Sequence, residues 1–560
     1  MSGEQRPQTP IDRIAEAWVD TEVRLDPITA TYIGRPEGQT RFADYGPEGR
    51  AEAAAAARAA LARLSGAEPA DDVDEVTRAD LSAILGDAIA LDEAGWALRD
   101  LNVIESPPQQ LRDALDLMPT SSDDDWAVIA QRLAAIPAAL AGYVETLREG
   151  VASGTVPARR QVLEVGTQID RFTSDSGFFA VFGAEAPTSD AVGADLARGR
   201  AAAREAYAEL GAFLRTEVAP AAVDDDGVGR ELYELHSRRF LGARIDLDET
   251  YEWGLEELAR MVSEQEAAAD EVLPGAGVRE AIAHLERDDS RKLHGTDELR
   301  RWMQETSDRA VAELGGTHFD IPDPVREIEC MIAPTQEGGI YYTGPTDDFS
   351  RPGRMWWSVP EGVTEFDTWR ELTTVYHEGV PGHHLQIGQA VYNRRSLNAW
   401  RRLLAGTSGH AEGWALYAER LMQDLGYLDD PADRLGMLDG QRFRAARVVL
   451  DIGVHLGKTR PDGEGVWTGE YALDFLREHV NMPDDFIRFE VNRYLGWPGQ
   501  APSCKVGQRI WEQIRDDARS AAGGDFSLRE FHRRAPDLGG VGLDTLRGAL
   551  APQSADGATA

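Results

Sequence analysis

The chain has 560 residues, and 58 Lys and Arg against 97 Asp and Glu give a formal net charge of −39 and a pI near 4.6. A surface this acidic repels phosphate backbones and anionic headgroups, which argues against nucleic acid or membrane as a partner. With 42% hydrophobic and 28% charged residues and a mean hydropathy of −0.39, the composition is that of a globular chain with ample apolar surface for a large core.

The N-terminal segment MSGEQRPQTPIDRIAEAWVD lacks a basic start followed by an apolar run, so no secretory signal is expected. No stretch approaches the roughly 20 uninterrupted apolar residues of a membrane span. The two cysteines, Cys330 and Cys504, lie far apart in no metal-binding spacing and read as buried thiols. These features together predict a cytoplasmic protein. Apolar residues recur at helical spacing in Ile11, Ile14 and Trp18, the Ala- and Arg-rich run Ala51–Leu64 reads as helix, and Ile136, Leu140, Tyr143 and Leu147 form a stripe closed by Gly150. The acidic runs Asp123–Asp125 and Asp224–Asp226 read as solvated loops. The second run, within Val218–Gly229, marks a boundary between an N-terminal helical region, 10–220, and a catalytic region, 221–551. Strand signals are confined to Glu327–Ala333, Gly339–Thr343 and Arg354–Val359, separated by Gly and Pro. The expected fold is mainly α with a small central β-sheet, followed by a disordered tail at 552–560.

The chemistry concentrates in Thr368–Gln389, TWRELTTVYHEGVPGHHLQIGQ. A His followed directly by Glu opens the helical motif of zinc hydrolases, in which the His binds metal and the Glu takes a proton from the attacking water. The second His of that motif falls four residues on, where this chain has Pro381. On a straight helix His383 would sit about 240° around and about 9 Å along from His377, and His384 about 10.5 Å along on the same face. Neither could share an ion held at about 2.0–2.1 Å by each nitrogen. A site therefore requires a broken helix, and Val380-Pro381-Gly382 supplies the break. Proline lacks the N–H that would bond to the His377 carbonyl and its ring clashes with that carbonyl, while glycine admits unusual backbone angles.

A second element, Gly409–Gly426 (GHAEGWALYAERLMQDLG), carries the apolar stripe Trp414, Tyr417/Ala418, Leu421 and Leu425 and ends at a Gly426 cap. Glu412 near its start is placed to complete a two-His, one-Glu zinc set, and Gly413 lets helices approach closely. A third element is Glu490–Gly507, EVNRYLGWPGQAPSCKVG. With HEGVPGHH, AEGWALY and RYLGWPGQAPSCKVG in this order, the chain resembles a large bacterial family of unknown function whose members are similar to gluzincin-type zincin metallopeptidases. The resemblance covers nearly the whole chain. It implies a large helical zincin-like fold, with His377 as first metal ligand, Glu378 as general base and Glu412 as third ligand. The second ligand is His383, which directly follows the break, or His384, otherwise a supporting catalytic group. Tyr494 suits an oxyanion donor and Arg493 a cation for a substrate carboxylate. Members of the family often carry Tyr where this chain has Cys504. His455 lies four residues after Asp451, a spacing that lets the carboxylate orient the ring, and Gly338–Tyr342 reads as an edge strand for a peptide backbone. The function expected is a Zn²⁺-dependent hydrolase of amide bonds in small peptides. The alternative is a zincin-like scaffold without peptidase activity that binds a ligand or a protein partner.

Overall fold

The structure, a computed structural model, describes residues 6–333 and 339–551, so Gly338 and the 552–560 tail lie outside the described residues. It is mainly helical, 67% helix against 5% strand. In the N-terminal half, α1 (Asp123–Ser153) packs along α2 (Asp190–Phe213). Ser122 caps α1 through its side chain and forms a capping box with Asp125, so the acidic run Asp123–Asp125 is the first helical turn, where carboxylates complement the helix dipole, and not a solvated loop. The helix also runs past Gly150 to Ser153 and is closed by left-handed Gly154, φ 76°. Gly150 serves packing instead, because a Cβ there would lie 2.3 Å from the Leu98 carbonyl oxygen. Among the described residues α1 is long and apolar enough to cross a membrane, which corrects the expectation that no stretch is. Here Ile129, Leu133, Ile136 and Leu140 bury against Val165, Tyr207 and Leu210 in an N-terminal core.

A smaller cluster joins Ile11, Trp18, Leu81 and Leu85 to Trp400, so the first helices pack on the C-terminal half. The largest core runs in sequence from Tyr233 to Leu550. Its helices include α3 (Leu247–Val272), α4 (Thr368–Glu378), α5 (His383–Tyr392), α6 (Ser408–Asp424), α7 (Pro431–His455), α8 (Asp484–Gly496) and α9 (Ser503–Ala522). α3 lies along α7, and α6 along α9. The α6–α9 contact is backbone on backbone: a Cβ on Gly413 would lie 2.4 Å from the Gly507 carbonyl carbon, and one on Gly507 would lie 2.3 Å from the Gly409 oxygen.

The strands form two small sheets. β1 (Lys292–His294) pairs antiparallel with β5 (Glu365–Asp367), a ribbon the alternation pattern had not signalled. The other sheet has the order β2 (Ile328–Ile332), β4 (Gly353–Trp357), β3 (Ile340–Thr343), with β2 parallel and β3 antiparallel to β4. Its three strands fall within the segments expected, except that β4 starts one residue early and ends before Ser358 and Val359. Ile328, Cys330, Met355 and Trp357 alternate inward and bury with Leu299, Met303 and Val375 of α4, which sets the sheet beside the motif helix. β3 is an edge strand, with Tyr341 turned outward onto Trp356 and Tyr342 turned toward α5.

Candidate metal centre

α4 ends at Glu378 and α5 begins at His383, so the helix breaks where the Pro-Gly pair stands. Gly382 is obligatory in this geometry, since a Cβ there would lie 1.9 Å from the His377 carbonyl oxygen. The indole of Trp414 on α6, fully buried, donates to the Pro381 carbonyl at 2.8 Å and fixes the break from the neighbouring helix. The turn brings the His377 and His383 rings to a centroid separation of 4.8 Å, perpendicular to each other.

Glu412 on α6 faces both rings: its carboxylate oxygens lie 3.6 Å from His377 Nε2 and 3.6 Å from His383 Nε2. Ligand atoms at about 2.0–2.1 Å from one tetrahedral ion stand about 3.4 Å apart. The three donors, all within 4.8 Å of one another, therefore match the edges of a zinc site more closely than the direct hydrogen bonds of a structural cluster. Burial alone would raise the Glu412 pKa, but the two imidazoles outweigh it and hold the carboxyl well below its ordinary range. Two nearby buried atoms, Glu378 Oε2 and His383 Nδ1, have no hydrogen-bond partner among the described residues. Burial raises the Glu378 pKa against the pull of His383 and His377.

Glu419, which the motif reading missed, lies behind the cluster. It is buried on α6, seven residues after Glu412 and hence on nearly the same face, and its Oε1 accepts from His377 Nδ1 at 2.8 Å. That bond fixes the tautomer and leaves the His377 Nε2 lone pair directed at the cluster. Gln441 on α7 donates to Glu419 Oε2 at 3.3 Å, and buried Lys505 donates to Gln441 Oε1 at 2.6 Å while pairing with Glu257 at 2.8 Å. The i,i+7 carboxylate spacing on one helix was the signal available in the sequence.

The remaining expected site residues have hydrogen-bond partners outside the His377, His383 and Glu412 cluster. His384 accepts at Nδ1 from the Tyr342 hydroxyl, 2.9 Å, and donates from Nε2 to the Val325 carbonyl, 2.8 Å, so both ring nitrogens are engaged away from the cluster. Burial pushes it down to about 4 and keeps it neutral. A Cβ on Gly353 would lie 2.0 Å from the Tyr342 hydroxyl, so that glycine makes room for the pair. The Tyr494 hydroxyl donates its single proton to Glu490 and accepts from Arg447 Nε at 2.7 Å, while Arg493 is held by Glu490 and Gln500. His455 donates to the Tyr494 carbonyl at 3.1 Å, has Asp451 at 3.8 Å from Nε2 and stacks on Tyr233, whose hydroxyl donates to Asp451 at 2.6 Å. Cys330 and Cys504 are free, buried thiols. Cys504 Sγ lies 3.7 Å from Glu412 Oε2, and burial together with that carboxylate pushes the thiol up to about 11.

Two solved structures are similar over nearly their full length. A protein of Colwellia psychrerythraea described as a "putative lipoprotein" is 22% identical with a TM-score of 0.83, covering 96% of this chain and 98% of its own. A "putative lipoprotein of unknown function" from Shewanella oneidensis is 18% identical with a TM-score of 0.72, covering 96% and 99%. At these identities the likeness shows a shared fold. Their description as lipoproteins is at odds with a cytoplasmic protein and overturns that expectation. No curated protein matches the chain. The sequence profile described as "Bacterial protein of unknown function (DUF885)" matches residues 27–550, and the chain belongs to that family.

Proposed function

We propose that this protein is a zinc-dependent hydrolase of amide bonds in small peptides. The observation that carries the reading is the His377, His383 and Glu412 cluster, in which the Glu412 carboxylate lies 3.6 Å from each histidine Nε2 and all three donors lie within 4.8 Å of one another, beside a buried Glu378 whose Oε2 lacks a partner. His377, His383 and Glu412 would hold Zn²⁺, which supplies Lewis acidity for polarising a carbonyl and acidifying water. Glu419 orients His377 through Nδ1 and stabilises positive charge on that ring. Glu378 accepts a proton from the attacking water at Oε2 and returns it to the departing amine, a task suited to a carboxyl whose pKa burial raises above the ordinary carboxylate value. Edge strand β3, adjoining the site through Tyr342, offers main-chain groups along which an extended peptide can lie.

Elemental analysis of protein purified without added metal, alongside His377→Ala and Glu412→Ala, tests the reading. Near-stoichiometric zinc lost in both variants is the expected result, followed by cleavage of library peptides by the parent and none by Glu378→Gln. No zinc in the parent, and none taken up from solution, refutes it in favour of a binding scaffold.

A further inference from the structure

A cavity of about 700 Å³ opens in the N-terminal half, walled by the helices Pro10–Leu25, Pro47–Ser65 and Asp72–Glu93 and by α1. That volume suits a small organic ligand. Neither Glu378 nor any residue of the His377, His383 and Glu412 cluster lines it. Part of the wall is apolar, with Trp18, Ala57 and Ile89, but three carboxylates also face the space: Glu22, Asp26 and Asp100. Each keeps some exposed surface, yet each is deep enough for burial to raise its pKa, Glu22 and Asp100 to about 7. The two facts hold together for groups that line an interior space. Among the described residues none of the three has a Lys or Arg within ion-pair distance. Asp26 is partly served, since it accepts from the Ile28 N–H at 3.2 Å and the Arg132 charge acts on it. Glu22 and Asp100 feel Arg239 only from beyond ion-pair distance, and the bases that line the cavity do not serve them. Arg24 pairs with Glu52 at 2.5 Å, Arg50 pairs with Glu149, and Arg41 is exposed. The hydroxyl of Tyr45, another lining residue, is buried within electrostatic reach of Asp26 and Asp100 and has no hydrogen-bond partner among the described residues. Unpaired acids and an orphaned hydroxyl around one interior space are short of a cation that also donates hydrogen bonds.

We propose that this cavity binds an organic cation, an alkylamine whose ammonium groups are held by Glu22 and Asp100 and donate to the Tyr45 hydroxyl. An ammonium group brings three N–H donors with its charge, and its alkyl chain can lie on the Trp18 and Ala57 wall. The assignment does not depend on the hydrolase reading. A free diamine and an amine-bearing residue of a peptide share this chemistry.

The test titrates the full-length protein above neutral pH, by calorimetry, with cadaverine, with the peptide amide Lys-Ala-Ala and with the neutral diol of the cadaverine carbon chain. At least one amine is expected to bind tenfold or more tighter than the diol. Glu22→Gln and Asp100→Asn, which keep the size of each side chain, should each weaken that binding at least fivefold. Ala54→Trp, which fills the space from the helix Pro47–Ser65 and removes no carboxylate, should abolish it. Thermal melts of the same samples separate loss of binding from loss of fold. Binding of cadaverine but not of the peptide would assign the ammonium to a free amine, and the reverse would assign it to a peptide residue. Binding of neither amine, a diol bound as tightly, a loss below fivefold in either carboxylate variant, or undiminished binding by folded Ala54→Trp overturns the proposal.

Discussion

Substituting Gly413 by alanine tests how the helix contact sets the proposed metal centre. The new Cβ would fall 2.4 Å from the Gly507 carbonyl carbon and 2.7 Å from its Cα, against ordinary carbon contacts of about 3.5–4.0 Å. Both neighbours are backbone, so no rotamer change relieves the clash, and α6 and α9 must separate by about 1 Å. Overpacking of this kind costs about 1–3 kcal/mol, and backbone on both sides places Gly413→Ala near the upper end. Glu412 is the adjacent residue, and ligand distances tolerate only about 0.2 Å, so the same displacement should weaken zinc binding at least tenfold. Gly86, inside the helix Asp72–Glu93 with open space at its Cβ position, supplies the control: Gly86→Ala should stabilise by about 0.5–1 kcal/mol. Urea midpoints of metal-free proteins and zinc affinity by chelator competition measure the two effects. A Gly413→Ala protein within about 0.5 kcal/mol of the parent, with parental zinc affinity, would refute the argument.

Glu419→Gln should weaken zinc binding about 10–100-fold, and parental affinity in that variant would show that Glu419 does not orient His377. Burial holds the Asp100 carboxyl up at about 7, so between about pH 4 and 7 the unfolded chain loses a proton that the folded one keeps, and stability falls as pH rises through that window. Asp100→Asn should therefore melt higher than the parent at pH 8 and level with it near pH 4; an equal gap at both would remove Asp100 as the cause. Glu490 behaves oppositely: burial alone would raise it, but Arg447 and Arg493 outweigh burial and hold it at about 2. Its contribution is complete above about pH 4.3 and lost toward pH 2, so Glu490→Gln, costing about 3–5 kcal/mol at pH 7, should converge on the parent in acid, as followed by denaturant titration across that range.

The sequence by itself determined the helical character, the three-stranded sheet and the need for a broken motif helix. Each follows from a local rule. Apolar period separates helix from strand, and a proline four residues after His377 cannot continue an α-helix whatever surrounds it. It missed where acidic residues act as caps, because Asp123–Asp125 reads as a solvated run unless Ser122 is recognised as the start of the helix. Which histidine joins His377 lay beyond local rules. His383 and His384 are adjacent, and the choice is made by Tyr342 on an edge strand and the Val325 carbonyl, which engage both nitrogens of His384. Tertiary structure alone also joined Glu419 to His377, seated Gly413 against Gly507 and placed Tyr494 and Arg493 with Glu490. These are contacts between segments 42 to 94 residues apart or between neighbouring turns whose facing depends on packing. Side-chain roles in such pairs are set by distance and burial, which one-dimensional spacing does not encode.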